Sequence, residues 1–179
     1  MELLNTFKAK NTFHHTAGSN RYARSTSARI VRGIQAYHMS GRGWCDIGYN
    51  FLVDRFGTIW QGRAGGSQLA VRGAHTLGFN STSTGIAVIG NFEEVQPTAE
   101  VLTSLVHLAA WKLDLYGRRP SRRAGVFSQG SDKFAAGQKV KLPVIDGHRD
   151  TNDTACPGKH LYAKLPAVRK RAQARVDRF

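Results

Sequence analysis

The stretch Gly85-Ile86-Ala87-Val88-Ile89-Gly90 limits the fold more than any other. Its apolar residues, mostly β-branched and bounded by glycines, offer no polar face to water, so it reads as a strand covered on both sides. Covering both faces of a sheet takes helices, and the chain supplies three. Pro97-Thr98-Ala99-Glu100 opens one, with Thr98 as cap and Glu100 in the first turn, at the positive end of the helix dipole. Val101, Leu102, Leu105, Val106, Leu108, Ala109 and Leu113 give it a broad apolar stripe, and Gly117 stops it. Thr26 or Ser25 caps a second, with Ile30, Val31, Ile34 and Tyr37 at the helical period and Gly41 and Gly43 ending it. The third runs from Leu161 to Phe179, burying Leu161, Leu165, Val168, Ala172 and Val176, with Pro166 near enough to its start to be tolerated.

Strands fill the gaps. Asn11 to Thr16 is short and ends in a pair of histidines. Ile47 to Asp54 alternates, and Arg55-Phe56-Gly57 turns it into Thr58-Ile59-Trp60-Gln61 as a hairpin. Val144-Ile145 is a last short strand. Gly62 to Gly73 is irregular and basic. Arg118 to Lys141 reads as a basic loop, long for a compact domain and therefore functional or mobile. Residues 1–10 read as a lead-in with little structure of their own, and 11–179 as one α/β domain. A chain of 179 residues buries a core without disulfide staples. No apolar run approaches the roughly 20 residues of a membrane helix, so membrane insertion is not expected. Met1 to Lys10 has no signal-peptide core, so a role outside the cytoplasm calls for an export signal beyond this chain or another route.

Lys and Arg number 26 against 12 Asp and Glu, a formal charge of +14. Such a field attracts polyanions: nucleic acid, or the anionic polymers of a bacterial wall.

The chemistry gathers in Asp146-Gly147-His148-Arg149-Asp150-Thr151-Asn152-Asp153-Thr154-Ala155-Cys156-Pro157-Gly158. Asn152, Asp153, Pro157 and Gly158 break helices, so this run can fold back and aim His148 and Cys156 at one point. Imidazole and thiolate are zinc ligands. The bland alternative is a polar surface loop with an incidental cysteine. Upstream stand His14 and His15. Neighbouring strand side chains face opposite ways, so one of the two can join the set, and their spacing alone leaves both open. Three protein ligands leave a fourth zinc position for water, the count of a catalytic site. A Cys45–Cys156 disulfide is the competing use of the thiol, and the metal reading requires its absence. In that reading Cys45, flanked by Trp44 and Ile47, is a small half-buried core residue.

His14-His15-Thr16, Trp44-Cys45-Asp46-Ile47-Gly48-Tyr49-Asn50-Phe51, Gly73-Ala74-His75, Gly147-His148-Arg149-Asp150 and Thr154-Ala155-Cys156-Pro157-Gly158 follow one another in that order. The ordered set resembles the zinc-dependent N-acetylmuramoyl-L-alanine amidases, which share a fold with peptidoglycan recognition proteins and short phage amidases. The likeness runs from about Thr12 to about Pro166. It implies a mixed central β-sheet flanked by α-helices, with zinc in a groove on one face. It implies His14, His148 and Cys156 as ligands, with His15 turned away to pack or hydrogen-bond. Tyr49 then faces the scissile amide, where a phenol can support a developing oxyanion; otherwise it is one more aromatic on the sheet. Thr154 shares Cys156's side if that piece is extended, and would add a neutral hydrogen bond, or merely cap a turn. His75 and Asn80 match a stretch lining the substrate groove. Arg72 could meet a stem-peptide carboxylate, and Trp44 and Trp60 could stack on sugar or lie in the core.

The implied reaction is hydrolysis of the amide joining muramic acid to L-alanine in bacterial peptidoglycan, at the cell wall, by a monomer. No general base is evident among Asp46, Asp150 and Asp153. His107, on an apolar helix face, is expected to be structural, and His38 and His160 have no assigned role. Two rival readings stand beside this one. The first is a peptidoglycan recognition module without hydrolysis, against which Cys156 and both histidines count. The second is a nucleic-acid binder using Arg118, Arg119, Arg122 and Arg123 with Arg169, Lys170, Arg171, Arg175 and Arg178, which no zinc-finger spacing or aromatic platform supports.

Overall fold

The computed structural model describes residues 9–178. Its strands are β1 (Lys10–His15), β2 (Phe51–Val53), β3 (Ile59–Gln61), β4 (Ser83–Val88), β5 (Arg123–Phe127), β6 (Lys139–Pro143) and β7 (Ile145–Gly147). Its helices are α1 (Ser27–Ala36), α2 (Ala99–Asp114), α3 (Lys159–Tyr162) and α4 (Leu165–Val176). Five strands form the central sheet in the order β3-β2-β4-β1-β7. β2, β4, β1 and β7 run parallel and β3 is antiparallel at the edge, so the sheet is mixed and the fold is the expected α/β one.

The apolar run does what its composition demands. Ile86 and Val88 of β4 enter a large core with Phe13, Phe51, α2 and α4, while Ala87 and Ile89 face a second core with Leu52 and the half-buried Ile30, Val31 and Ile34 of α1. The α2 stripe and the line Leu161, Leu165, Val168, Ala172 and Val176 are buried as expected, apart from the half-buried Leu102. Each valine or leucine among them contributes roughly 1.5–3 kcal/mol when fully covered. Thr98 caps α2 by accepting the Val101 N–H. In the β2–β3 hairpin the buried Asp54 carboxylate accepts from Phe56 N and Thr58 N and from Trp60 Nε1, which draws the turn closed.

Several expectations are corrected. The strand expected over Ile47 to Asp54 is regular only at Phe51–Val53. Neither expected residue caps α1: the Thr26 hydroxyl donates backwards to the Ala23 carbonyl, and no side chain caps the helix. Tyr37 is exposed and lies in a turn of π-helix, Tyr37–Gly41. The terminal helix is two, broken between Tyr162 and Leu165. Its end at Phe179, like the lead-in over 1–8, lies outside the described residues; Lys10 already belongs to β1. Arg118 to Lys141 is no structureless loop, because β5 and β6 pair antiparallel across it. Val126 of β5 and Leu142 of β6 pack with Phe79 and Ala9 in a small third core, which the surrounding charge conceals in the sequence. Cys45 is exposed rather than half-buried, with the Arg63 guanidinium against its sulfur. His107 is exposed too, since its neighbours Val106 and Leu108 take the buried side of α2.

Candidate metal centre

Donor side chains collect at the carboxyl ends of parallel strands, where chain crossovers leave a crevice. β1 alternates, so Lys10, Thr12 and His14 share one face, the first two buried beneath the groove and His14 lining it, while Asn11, Phe13 and His15 take the other face, toward the helices. The two histidines therefore point apart. His15 Nδ1 accepts the Phe92 N–H and holds the segment after β4, whereas His14 faces the cavity. Next to β1, β7 ends at Gly147 and delivers His148 into a 3-10 turn. That turn is fixed by Asp150, which accepts the Gly147 N–H at 2.9 Å and the Tyr162 hydroxyl at 2.6 Å. Arg149 N donates to the Cys156 carbonyl at 2.9 Å, folding the segment back on itself. The His148 and Cys156 side chains meet His14 as a result. One donor atom from each lies within 4.8 Å of the others, and Cys156 Sγ is 3.7 Å from His14 Nδ1. Both cysteines are free.

Burial prepares two of the donors. It holds His14 well below the usual imidazole range, helped by the neighbouring His148, and brings His148 down to about 4. Both rings are therefore neutral at pH 7, with a lone pair to offer. Burial also pushes the Cys156 thiol up to about 12, against the opposing pull of the His15 N–H on its sulfur. Beneath them Lys10 and Asp146 form a fully buried ion pair at 2.7 Å, with Lys10 also donating to Thr12. Two neutral imidazoles and one thiol within such reach fit a metal ion.

Other side chains build the surroundings. The His75 ring lies 3.0 Å from His14 Nε2, so the His14 imidazole is held at the nitrogen facing away from Cys156. The glycine that opens the apolar run makes room for it: a Cβ on Gly85 would come within 2.4 Å of the His75 ring. Asn80 accepts the backbone N–H groups of His75 and Thr76, shaping that turn. An open cavity of about 580 Å³ borders the cluster, and His75, Asn80, Trp44, Tyr49 and Thr154 all line it. The Tyr49 ring packs on His14 at 5.3 Å between centroids, and burial raises its phenol, which stays protonated. The Thr154 hydroxyl accepts the Cys156 N–H, so it caps a turn and keeps its own proton to donate into the cavity.

Arg72 is not among the residues lining the cavity; it is exposed on the irregular stretch, its carbonyl accepting from Arg63. Trp60 packs beside the second core and donates to Asp54. Residues with no role expected from the sequence also line the cavity. His38, whose Nδ1 accepts the Gly48 N–H, stands between Trp44 and Tyr49. Arg42 joins it on that wall, and Asp132 and Asp153 stand at another part of the lining. Nothing local marks His38, which lies in the π turn that follows α1. Among the three aspartates, Asp46 and Asp150 serve backbone N–H groups, and Asp153 alone lines the cavity.

Residues 10–159 match the family described as N-acetylmuramoyl-L-alanine amidase. Peptidoglycan-recognition protein SC2 of Drosophila melanogaster is 32% identical over 152 residues, covering 85% of this chain and 69% of that protein. The structure of peptidoglycan recognition protein-LE in complex with tracheal cytotoxin, a monomeric diaminopimelic acid-type peptidoglycan, superposes with a TM-score of 0.70 at 30% identity, covering 90% of this chain and 80% of the other. The N-acetylmuramoyl-L-alanine amidase LysC from Clostridium intestinale superposes at 0.65 with 26% identity, covering 93% and 89%.

Proposed function

The chain belongs to the N-acetylmuramoyl-L-alanine amidase family, and from that premise we propose that it is a zinc-dependent hydrolase of bacterial peptidoglycan. The bond cut is the amide between the lactyl group of N-acetylmuramic acid and L-alanine. The observation carrying this reading is the convergence of His14, His148 and Cys156 beside a cavity that Tyr49 and Thr154 also line. Two imidazoles and a thiolate suit zinc, and three protein donors are the count of a catalytic site. Zinc held there supplies Lewis acidity toward a carbonyl oxygen and lowers the pKa of water toward neutrality.

The chain's own residues do the rest. Tyr49, kept protonated by burial, donates a hydrogen bond to the carbonyl oxygen as negative charge gathers on it. Thr154, its acceptor side occupied by Cys156 N, is turned to donate as well. His75 keeps the His14 ring from rotating. Trp44, His38 and Arg42 offer a stacking face and cationic or polar contacts along one wall. Water adds its oxygen to the carbonyl carbon, the C–N bond breaks, and the departing nitrogen takes a proton. The products are a lactyl carboxylate and a free L-alanine amine. The site of action is the cell wall, where anionic wall polymers are the polyanions a charge of +14 would meet.

A recognition module without hydrolysis is the second reading, favoured by the names of the relatives. Two substitutions and defined muropeptides with mass analysis of products decide between them. Cys156→Ser replaces an anionic sulfur ligand with a neutral hydroxyl, so zinc and turnover should be lost together. Muropeptide affinity should stay within about tenfold, roughly 1.4 kcal/mol. Tyr49→Phe should keep zinc and binding while turnover falls about a hundredfold, the scale of one oxyanion donor. Wild-type turnover in Cys156→Ser, or no cleavage by the zinc-loaded wild type, would sink the hydrolase reading.

A further inference from the structure

The cavity carries charge of opposite sign on different parts of its lining. Asp132 and Asp153 supply carboxylates, whereas Arg42 is the one lysine or arginine that lines it. Arg42 makes no ion pair with either aspartate, nor with any other carboxylate of the described residues. Its charge is therefore left to whatever enters the cavity.

The chain holds this guanidinium in place. The π turn after α1 closes with the Arg42 N–H on the Tyr37 carbonyl at 3.1 Å. Gly41 leaves room for the Tyr37 ring against that turn, since a Cβ there would crowd the ring at 3.0 Å. The Arg42 guanidinium carbon ends 5.7 Å from the centre of the Tyr37 ring and 6.0 Å from that of Trp44, within cation–π reach of both. From there the wall continues as packed rings. Trp44 lies 4.9 Å from His38 between centroids, His38 5.5 Å from Tyr49, and Tyr49 5.3 Å from the proposed ligand His14.

A guanidinium is a flat fork of donors that matches a carboxylate. Held by two rings, it loses less freedom when a partner binds. In the proposed substrate the N-acetylated sugars are uncharged, and the lactyl acid is taken up in the scissile amide. Any carboxylate therefore lies in the stem peptide. The part of the lining that bears Asp132 and Asp153 repels such a group, and the Arg42 wall attracts it.

We propose that Arg42 is a specificity-determining residue: its guanidinium binds a carboxylate of the stem peptide, so that free-acid stems are preferred to amidated ones. The inference rests on the peptidoglycan reading above and narrows its substrate. It also moves to Arg42 the task expected of Arg72, which lies outside the cavity.

The test uses the full zinc-loaded chain and muropeptides in which each stem carboxylate in turn is replaced by its carboxamide. Wild type should favour the free acid about tenfold in kcat/KM at one of those positions, the scale of a charge-assisted hydrogen bond. Arg42→Gln should bring that ratio within about twofold. The change should fall in KM rather than kcat, because Arg42 stands apart from the reacting carbonyl. Arg42→Lys keeps the charge without the fork, so its ratio should lie between the two. Arg32→Gln removes the same charge from an exposed site on α1 outside the cavity, and its ratio should match wild type. A wild type indifferent to every amidation, or an undiminished preference in Arg42→Gln, overturns the proposal. A zinc-loaded wild type that cleaves none of the muropeptides sinks the hydrolase reading alone. Calorimetric Kd ratios for the same pairs then decide the role of Arg42 by the same two outcomes.

Discussion

At the scale of single residues, burial acts in opposite directions on the three donors. Removing a charged imidazole from water is unfavourable, so His14 and His148 stay neutral, His148 down to about 4. Removing a thiolate from water is unfavourable too, so Cys156 stays a thiol up to about 12. The sign for metal binding follows. Between roughly pH 5 and 8 the histidines should release no proton as zinc binds, and the thiol should release about one. Zinc affinity should therefore rise about tenfold per pH unit over that range. Unburied histidines near their usual value would steepen the dependence below about pH 6.5. Calorimetric zinc titrations in two buffers of different ionisation enthalpy count the protons, and a count near three at pH 5.5 would contradict the burial argument. The sequence marks these residues because zinc ligands are few in kind. It left His14 and His15 open because alternation tells them apart only once the two faces of β1 are known.

Elements differ in how far they are written locally. α2 is, because Thr98, Glu100 and the apolar stripe all lie within its own span, and the Thr98 hydroxyl accepts the Val101 N–H as expected. Thr98→Ala should cost about 1 kcal/mol and lower the melting temperature by about 2–4 °C for a domain of this size. Muropeptide hydrolysis should be unchanged, since Thr98 stands away from the groove. Thr26→Ala makes the contrast: its hydroxyl caps no N–H, so thermal unfolding should shift less, and equal shifts would argue against the cap. The irregular 62–73 stretch is held from outside itself. Buried Lys112 on α2 donates to the Ser67 and Leu69 carbonyls, and the Tyr116 hydroxyl donates to that of Gln68. A lysine inside an apolar stripe carries no sequence signal of such a bond.

Over the whole molecule, charge is laid out by tertiary packing. The turn bearing Arg119 and Arg122 meets α4, where Ser121 bonds Gln173 and Arg119 pairs with Asp177 beside Arg169 and Lys170. Two basic clusters some fifty residues apart thus share one surface, on the far side of the sheet from the groove. Added salt should weaken attachment to anionic wall polymer by at least about tenfold between roughly 0.05 and 0.5 M, because exposed charges are screened and counterions no longer gain by release. Cleavage of a small muropeptide should change far less, since its proposed contacts lie within the groove. Sedimentation with wall fragments measures the first and product analysis the second, and salt-insensitive wall binding would remove the electrostatic role.

The sequence by itself determined what depends on residue type and short period: a sheet buried on both faces, the helix stripes, the β2–β3 hairpin, and the residues able to hold a metal. Family likeness added which histidine of the pair to expect. Only the tertiary structure decided how those residues are held. His75 braces His14 from 61 positions away, over the space left at Gly85. Asp132 reaches Asn152 from a hairpin whose few apolar residues are scattered among charges, too thinly for a period to show. Local preference spans a turn or two of chain, whereas orienting a ring takes a partner at a set distance and angle. Such partners arrive from other strands and loops, and only the packing of the whole sheet brings them there.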